Sequence, residues 1–396
     1  MPLGVYISVP FCRTKCSYCN FASDVFSRTV FDRYIERICQ DMERATTTAA
    51  QFGARFERKV DSIYLGGGTP TVLDIRQLER LFVTVSQNFE VSRDAEITVE
   101  CAPGTLSPAI LDVLQRCGVN RVSLGVQSFV DKEAASVGRL HKRETVMDDL
   151  ARLRASGIVN INVDLIAGLP HQTKESWDLS LSEVIASGVP HVSVYMLEVD
   201  QDSRLGRELI AGGTKYHAHF VPDEDLTADL YVAACERLGA AGVGQYEISN
   251  FARAGQGSHH NLKYWKRQPY IGFGVDAHSM LKVDGELDAV RLATPDSLED
   301  YVAGKPLTRT LVSKQAAIEE TFFLGLRLNE GVDLGKAGQQ FGGELSQAYA
   351  EIVVELVSDG LLQRGDDVIR LTPRGQLLSN EVFSRFIAMP AVGAPF

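Results

Sequence analysis

The chain has 396 residues, 45% of them apolar and 23% charged, with a formal net charge of −11. At roughly 100–200 residues per domain this length predicts two or three domains, and the balance excludes a wholly disordered, collagen-like or coiled-coil chain. The acidic charge argues against nucleic-acid binding by bulk electrostatics. The seven cysteines, an odd number, argue against a disulfide scaffold and for a reducing compartment.

The first residues, Met1 to Pro10, lack the basic start of a signal peptide and read as a strand. No apolar run of 18 residues suggests a membrane span. A cytoplasmic chain is expected.

The first half alternates strand-like and helix-like segments. Val- and Ile-rich runs at 4–9, 60–65, 96–100, 121–126, 160–166 and 191–197 read as buried parallel strands. Between the first two, Phe31, Tyr34, Ile35, Ile38 and Met42 share one face of a helix expected over 31–51. Leu78, Leu81, Phe82 and Val85 do the same in the next helix. Ser107-Pro108 is an N-cap with proline at the first helical position. Gly118, Gly157 and Gly188 mark helix ends. Six β-then-α units predict a parallel sheet with right-handed crossovers, too short for a full eight-unit barrel of about 250 residues. The fold class expected is α/β, a partial (β/α)6 barrel over 1–215.

A stretch rich in aromatics and histidines follows over 216–290. Residues 291–380 read as a helical, winged-helix-like domain, with helices at 297–303, 314–328 and 347–358. A strand, turn and strand over 360–371 and a final helix opened by Thr372-Pro373 complete it. Residues 381–396 read as a tail. No internal repeat is visible.

Chemistry concentrates first in Cys12, Cys16 and Cys19, spaced C-x3-C-x2-C directly after the first strand. Three thiolates within eight residues converge on one inorganic centre. Zinc would need a fourth ligand, and the chain offers no second cysteine pair. A disulfide would leave one thiol over. An iron–sulfur cluster with three cysteine ligands and one open iron fits the odd number best. Cys39, Cys101, Cys117 and Cys235 read as small buried apolar residues.

This triplet, with Tyr18 between its last two cysteines, resembles the signature of the radical S-adenosylmethionine superfamily. The resemblance implies a [4Fe–4S] cluster whose open iron is chelated by S-adenosylmethionine. Further motifs fall at later strand ends. Gly66-Gly67-Gly68-Thr69-Pro70 allows close backbone approach to a ligand. A bare glycine triplet is ordinarily a plain turn, but this one resembles the family's GGGTP motif, which assigns Gly67, Gly68 and Thr69 to the cofactor. Glu100, Gln127, Arg139 and Asp164 follow at or after the next strands. Each alone reads as ordinary structure, although Asp164 lies among apolar neighbours and needs a partner. Together they resemble the cofactor positions of the anaerobic coproporphyrinogen III oxidase family, whose first-strand tyrosine is matched by Tyr6.

Two features separate the branches of that family. The oxidases carry a fourth cysteine as C-x-C; here the text is Cys19-Asn20-Phe21. The segment His260-Asn-Leu-Lys-Tyr-Trp265 is similar to the HNxxYW motif of the heme-chaperone branch. The segments Tyr246 to Phe251 and Gly272 to Ser279 are similar to the same branch. Neutral imidazole is a good axial iron ligand and aromatic faces bury a flat macrocycle. The resemblance therefore assigns heme to His260, Tyr264 and Trp265, with His259 and His278 as rival ligands. A structural histidine, an aromatic core, and a basic patch at Lys263, Lys266 and Arg267 stand beside this reading. His217 and His219 resemble a metal pair without a third partner.

The resemblance implies a chaperone that delivers heme to clients such as respiratory cytochromes. The alternative is oxygen-independent decarboxylation of coproporphyrinogen III. Peripheral membrane contact through clients, and a homodimer, stay open.

Overall fold

In the computed structural model, residues 1–283, 288–342 and 349–387 are described. The expected tail beyond 387, and the start of the helix expected at 347, lie outside them.

All six expected strands form: β1 (Leu3–Val9), β3 (Lys59–Gly67), β4 (Glu90–Cys101), β5 (Arg121–Gln127), β6 (Asn160–Ala167) and β7 (His191–Met196). A short strand β2 (Ala54–Arg55) precedes β3. Neighbours β1-β3-β4-β5-β6-β7 are parallel throughout. The sheet then continues on both sides with strands from the middle of the chain. Beyond β7 come β9 (Asn250–Ala252) and β8 (Gly244–Glu247), antiparallel. On the other side of β1 lies β10 (Tyr270–Phe273), paired parallel with Gly4–Ile7. Then come β11 (His278–Val283), β12 (Ala289–Ala293) and β13 (Thr308–Val312), each antiparallel to its neighbour. The described sheet thus has seven parallel strands, one more than the sequence pattern suggests, and its order runs from β13 to β8 without closing.

The strands alternate sharply. One face carries Val5, Ile7, Val9, Leu65, Val99, Val122, Leu124, Val163 and Val194, all buried in one core with the helices. The other face is polar and lines a cavity. Helix α1 (Phe31–Glu43) buries the face foreseen and packs beside α3 (Ile75–Asn88). It ends at Arg44, and α2 (Ala45–Gln51) continues separately rather than as one helix. The Ser107 cap opens α4 (Pro108–Arg116), its hydroxyl accepting from the Ile110 amide. Then follow α5 (Asp131–Ser136), α6 (Arg143–Ala155) and α7 (Lys174–Ser187), the last closed by Gly188 in the left-handed conformation. Next come α8 (Arg204–Ala211), α9 (Glu224–Ala240), α10 (His259–Trp265), α11 (Leu298–Ala303), α12 (Lys314–Gly325) and α13 (Leu334–Phe341).

The C-terminal part has its own core around Ile318, Phe322, Val353, Leu356, Ile369 and Phe386. Its three-stranded wing is β14 (Val332–Asp333), β16 (Val368–Leu371) and β15 (Leu362–Gly365). A helix over Ala350–Ser358 packs beneath it. The Thr372-Pro373 cap opens a helix at the foreseen place. No described helix is long and apolar enough to cross a membrane.

Candidate functional site

The cysteine loop leaves β1 and is fixed at its base. The Cys12 amide donates to Asp24 O at 3.0 Å, and the Asp24 amide to Pro10 O at 2.9 Å. Two neighbouring elements hold its crown. The Ser17 amide donates to Val137 O after α5, and the Leu205 amide of α8 donates to Ser17 O. The Asn20 amide group reaches Asp200 at 3.1 Å. These bonds set the loop's shape with backbone groups, leaving the thiols free to face inward. Cys12, Cys16 and Cys19 all line one cavity of about 410 Å³. The Thr69 hydroxyl approaches the Cys12 sulfur at 3.8 Å, and Arg139 approaches that of Cys16 at 3.6 Å. Burial pushes the Cys12 thiol pKa up.

The same cavity takes Gly67, Gly68, Thr69, Glu100, Gln127, Arg139 and Asp164. The strand-end residues singled out from sequence therefore converge, as the C-terminal ends of parallel strands do. Glu100 accepts from the Tyr64 hydroxyl at 2.8 Å and the Gly67 amide at 3.1 Å. Burial pushes its carboxyl up to about 7, and the nearby Asp164 charge adds in the same direction. Asp164 accepts from Asn162 at 2.7 Å and Ser123 at 3.2 Å, and burial raises its pKa too. Gln127 has φ +69 at a bulge in the β5–β6 ladder. Its side-chain amide oxygen, Oε1, is buried with no partner. Strain and an orphaned acceptor at one residue mark a ligand-facing position. At Gly68 a Cβ would stand 2.7 Å from Val9 O, so only glycine lets β3 pass this close to the loop.

The three thiols, the close-packed glycine and the unpartnered Gln127 acceptor together fit a cluster with an attached polar, cationic ligand. Tyr6 stands apart. It lies on β1 but lines a second cleft, formed with Ser8, Phe21, Ala22, Gly67, Tyr264, Tyr270, Asp276 and His278.

The sequence pattern passed over the cavity's other polar residues. Arg121, Ser123, Asn162 and Ser193 line it from alternate positions of strands read as apolar runs. Asn162 donates to Ser123 at 2.7 Å and Ser193 at 3.0 Å, and His191 Nδ1 bonds its carbonyl at 2.6 Å. The signal was there: Arg121 and Ser123, Asn162 and Asp164, and His191 and Ser193 are polar every second residue, the inward set of a strand. Tyr246 ties this network to α10, bonding His191 at 2.9 Å and accepting from the Ser258 amide at 3.1 Å.

The motif 260–265 is not one site. Glu96, paired with the buried Arg121, accepts from the His259 and His260 amides at the helix start, each at 3.1 Å. The His260 ring is 1% exposed. Its Nδ1 meets Ser62 Oγ at 3.0 Å and its Nε2 meets Tyr264 Oη at 2.8 Å. Burial lowers its pKa to about 3, so the ring is neutral and both nitrogens are occupied. Tyr264 reaches the second cleft. Trp265 points elsewhere, into a cavity between the sheet and the C-terminal wing, under the Arg327 guanidinium 4.2 Å away. His278 is exposed at the second cleft, with Asp276 3.6 Å from its Nε2. His217 has an unforeseen neighbour, His171, whose Nε2 lies 3.2 Å from its Nδ1. Among the described residues no three or more His, Cys, Asp or Glu side chains, the loop thiols included, are close enough to share a single metal ion.

Comparison with known proteins bears on this geometry. Residues 6–184 match the Radical SAM superfamily, and residues 312–378 the HemN C-terminal domain. The heme chaperone HemW of Bacillus subtilis (strain 168) is 34% identical over 388 residues, 97% of this chain and 99% of that protein. The chain belongs to the HemW family. The Escherichia coli (strain K12) HemW is 30% identical, with 98% of each chain covered. The solved structure of the coproporphyrinogen III oxidase HemN from Escherichia coli, titled a radical SAM enzyme, superposes with a TM-score of 0.82. It is 25% identical and covers 97% of this chain and 90% of its own. Within the HemW family frame, the radical SAM match ends inside α7, while β10 to β13 enter the same sheet from the middle of the chain.

Proposed function

We propose that this chain is a heme chaperone, which takes up heme and passes it to heme-accepting proteins such as respiratory cytochromes. Full-length similarity to heme chaperones carries the reading. Phe21 supports it, standing two residues after Cys19 where the oxidases have a fourth cysteine. The likeness to HemN favours the oxidase alternative in fold only.

Cys12, Cys16 and Cys19 are the residues that hold a [4Fe–4S] cluster. Gly67, Gly68, Thr69, Glu100, Gln127, Arg139 and Asp164 are those that hold S-adenosylmethionine. When bound there, such a cluster would supply one-electron reducing power. Glu100 and Asp164 are carboxylates available to the cofactor's cationic groups, and Gln127 offers a free carbonyl. Tyr6, which lines the neighbouring cleft with its hydroxyl beside Gly67, stands at the border of that set.

Two measurements follow. Purified, anaerobically reconstituted chain is expected to bind heme with a shifted Soret band and to transfer it to an apocytochrome, without converting coproporphyrinogen III. Turnover of that porphyrinogen, or no heme transfer, overturns the reading.

S-adenosylmethionine affinity is expected to rise with pH through about 7. A cation pairing with Glu100 draws its carboxyl pKa down, so binding releases a proton. In the ligand-free chain the sign is opposite. The folded state holds the Glu100 proton more tightly than the unfolded state, so this group's contribution to stability falls as pH rises from 4.5 towards 7. Calorimetric titration on either side of that pH checks the binding, and Glu100→Gln is expected to flatten the dependence.

A further inference from the structure

Three histidines line neither the cysteine cavity nor the second cleft. His171 follows β6 in Gly168-Leu-Pro-His171, and His217 and His219 lie between α8 and α9. The fold brings two of them together from 46 residues apart. His171 Nε2 lies 3.2 Å from His217 Nδ1, with the rings at 63° to each other. Both residues are half-buried. Phe220 packs against His171 with centroids 4.0 Å apart and against His219 at 4.1 Å. His219 is exposed, and its ring contact is with Phe220.

Both members of the pair hold a left-handed backbone, His171 at φ +68 and His217 at φ +61, which costs a non-glycine residue. Each is fixed by backbone bonds. The His171 amide donates to Phe220 O at 2.9 Å, and the Phe220 amide to His217 O at 2.9 Å. Glu208 on α8 accepts from the Tyr216 amide at 2.7 Å and the Ala218 amide at 3.1 Å, which holds the backbone on both sides of His217. Two strained residues that face each other and are fixed in this way point to work done by their side chains. A hydrogen bond between two neutral rings uses one N–H and one lone pair, and water would serve each ring as well. A metal ion uses a lone pair from both. Two nitrogens bound to one tetrahedral ion at about 2.0–2.1 Å stand about 3.3 Å apart, close to the 3.2 Å found here. Burial, with Lys132 and the other two histidines adding in the same direction, lowers the His171 pKa. Its ring is therefore neutral at pH 7, the form that binds metal. Glu208 spends both oxygens on amides and is no ligand.

We propose that His171 and His217 form a two-histidine site for a divalent transition-metal ion, with zinc as the ion and water in its open positions. Imidazole suits such ions, and the half-buried rings leave room for the water. The ion would fasten the chain after β7 to the loop after β6. That fastening reaches the cysteine loop. From α8 the Leu205 amide donates to Ser17 O at 2.8 Å and Arg204 Nη1 to Lys15 O at 3.3 Å. The end of the same helix carries Glu208, which holds the backbone around His217. The proposal stands apart from the heme-chaperone reading and needs neither heme nor S-adenosylmethionine.

The test is calorimetric titration of zinc into the untagged full chain, anaerobically reconstituted so that the cluster engages the loop thiols. His171→Asn and His217→Asn each remove a ring nitrogen while keeping a residue that tolerates the left-handed backbone. Either is expected to weaken the histidine-dependent zinc affinity by about 10–100-fold or more, since losing a ligand costs at least as much as losing its support. His219→Asn is expected to leave it unchanged. Hydrogen exchange is expected to slow over 204–220 when zinc is added to the wild-type chain, and not in His171→Asn or His217→Asn. Thermal unfolding shows that each variant is folded. Zinc bound equally by the wild-type chain and both folded variants, as zinc held by thiols alone would be, overturns the site. Histidine-dependent binding without slowed exchange overturns the fastening.

Discussion

Alanine at any one of Cys12, Cys16 and Cys19 is expected to abolish the iron–sulfur cluster while leaving the fold standing. The three sulfurs line one cavity; Cys101, at the end of β4, borders it too, but its thiol is buried against Val99 O and burial holds it protonated, while Cys39 is buried in α1 and Cys117 ends α4. Two thiolates with an open third site hold such a cluster poorly. The loop itself is fastened by backbone bonds from Cys12, Ser17 and Asp24, none of which needs a thiol. Iron and sulfide analysis after anaerobic reconstitution is therefore expected to collapse in each variant, with the thermal transition nearly unmoved. S-adenosylmethionine binding is expected to fall with it. Cys39→Ala, outside the cavity, is expected to keep full iron. A normal brown chromophore in any of the three loop variants refutes the assignment.

Gly68→Ala is expected to damage the cysteine loop and the cofactor cavity together. The added carbon would stand 2.7 Å from Val9 O, 2.9 Å from Pro10 C and 3.0 Å from Phe11 N. All three are backbone atoms, so no side chain can swing aside. Relief requires the end of β3 to move away from the end of β1, where the Thr69 amide donates to Phe11 O at 2.8 Å. That bond anchors the residue next to Cys12. Overpacking of this kind costs about 1–3 kcal/mol of stability, and its local effect falls on the cysteine loop and the cofactor cavity together. Expected are a lower unfolding midpoint in urea, S-adenosylmethionine affinity reduced by an order of magnitude or more, and iron that is lost on gel filtration. Retained affinity would show that the glycine triplet is a plain turn.

Much of this architecture is legible in the sequence. Six runs of Val and Ile predict six strands, and all six form in parallel order, because a strand buried on its outer face by helices cannot hide its composition. Caps such as Ser107-Pro108 and Thr372-Pro373 act locally and are read locally. What escapes is set by distant parts of the chain. β10 has four residues, Tyr270–Phe273, one of them Gly272, and pairing with the distant β1 and with β11 makes it a strand. Arg44 breaks a continuous helical pattern with no glycine or proline to signal it.

The 260–265 motif reads as one unit along the chain, yet helical geometry divides it. His260 and Tyr264, four residues apart, share a face and bond each other, while Trp265 is rotated onto another. A seven-residue helix cannot aim all three rings at one ligand. The inward polar residues of the strands, Arg121, Ser123 and Asn162, were masked by their apolar neighbours, although their spacing of two was plain.

The pairing of Gly4 with Tyr270 has a consequence for the order in which the protein is assembled. β1 leaves the ribosome before every other described strand. One of its edges is covered early, by β3. The other waits until the chain has grown past β10, and until then it offers unpaired amide and carbonyl groups beside a loop rich in thiols. Unpaired edges invite association with other chains, and contacts between such distant segments form slowly. The strand that carries the cysteine loop is thus locked in place only after Phe273 has been made, which ties completion of the cluster loop's footing to a segment far downstream.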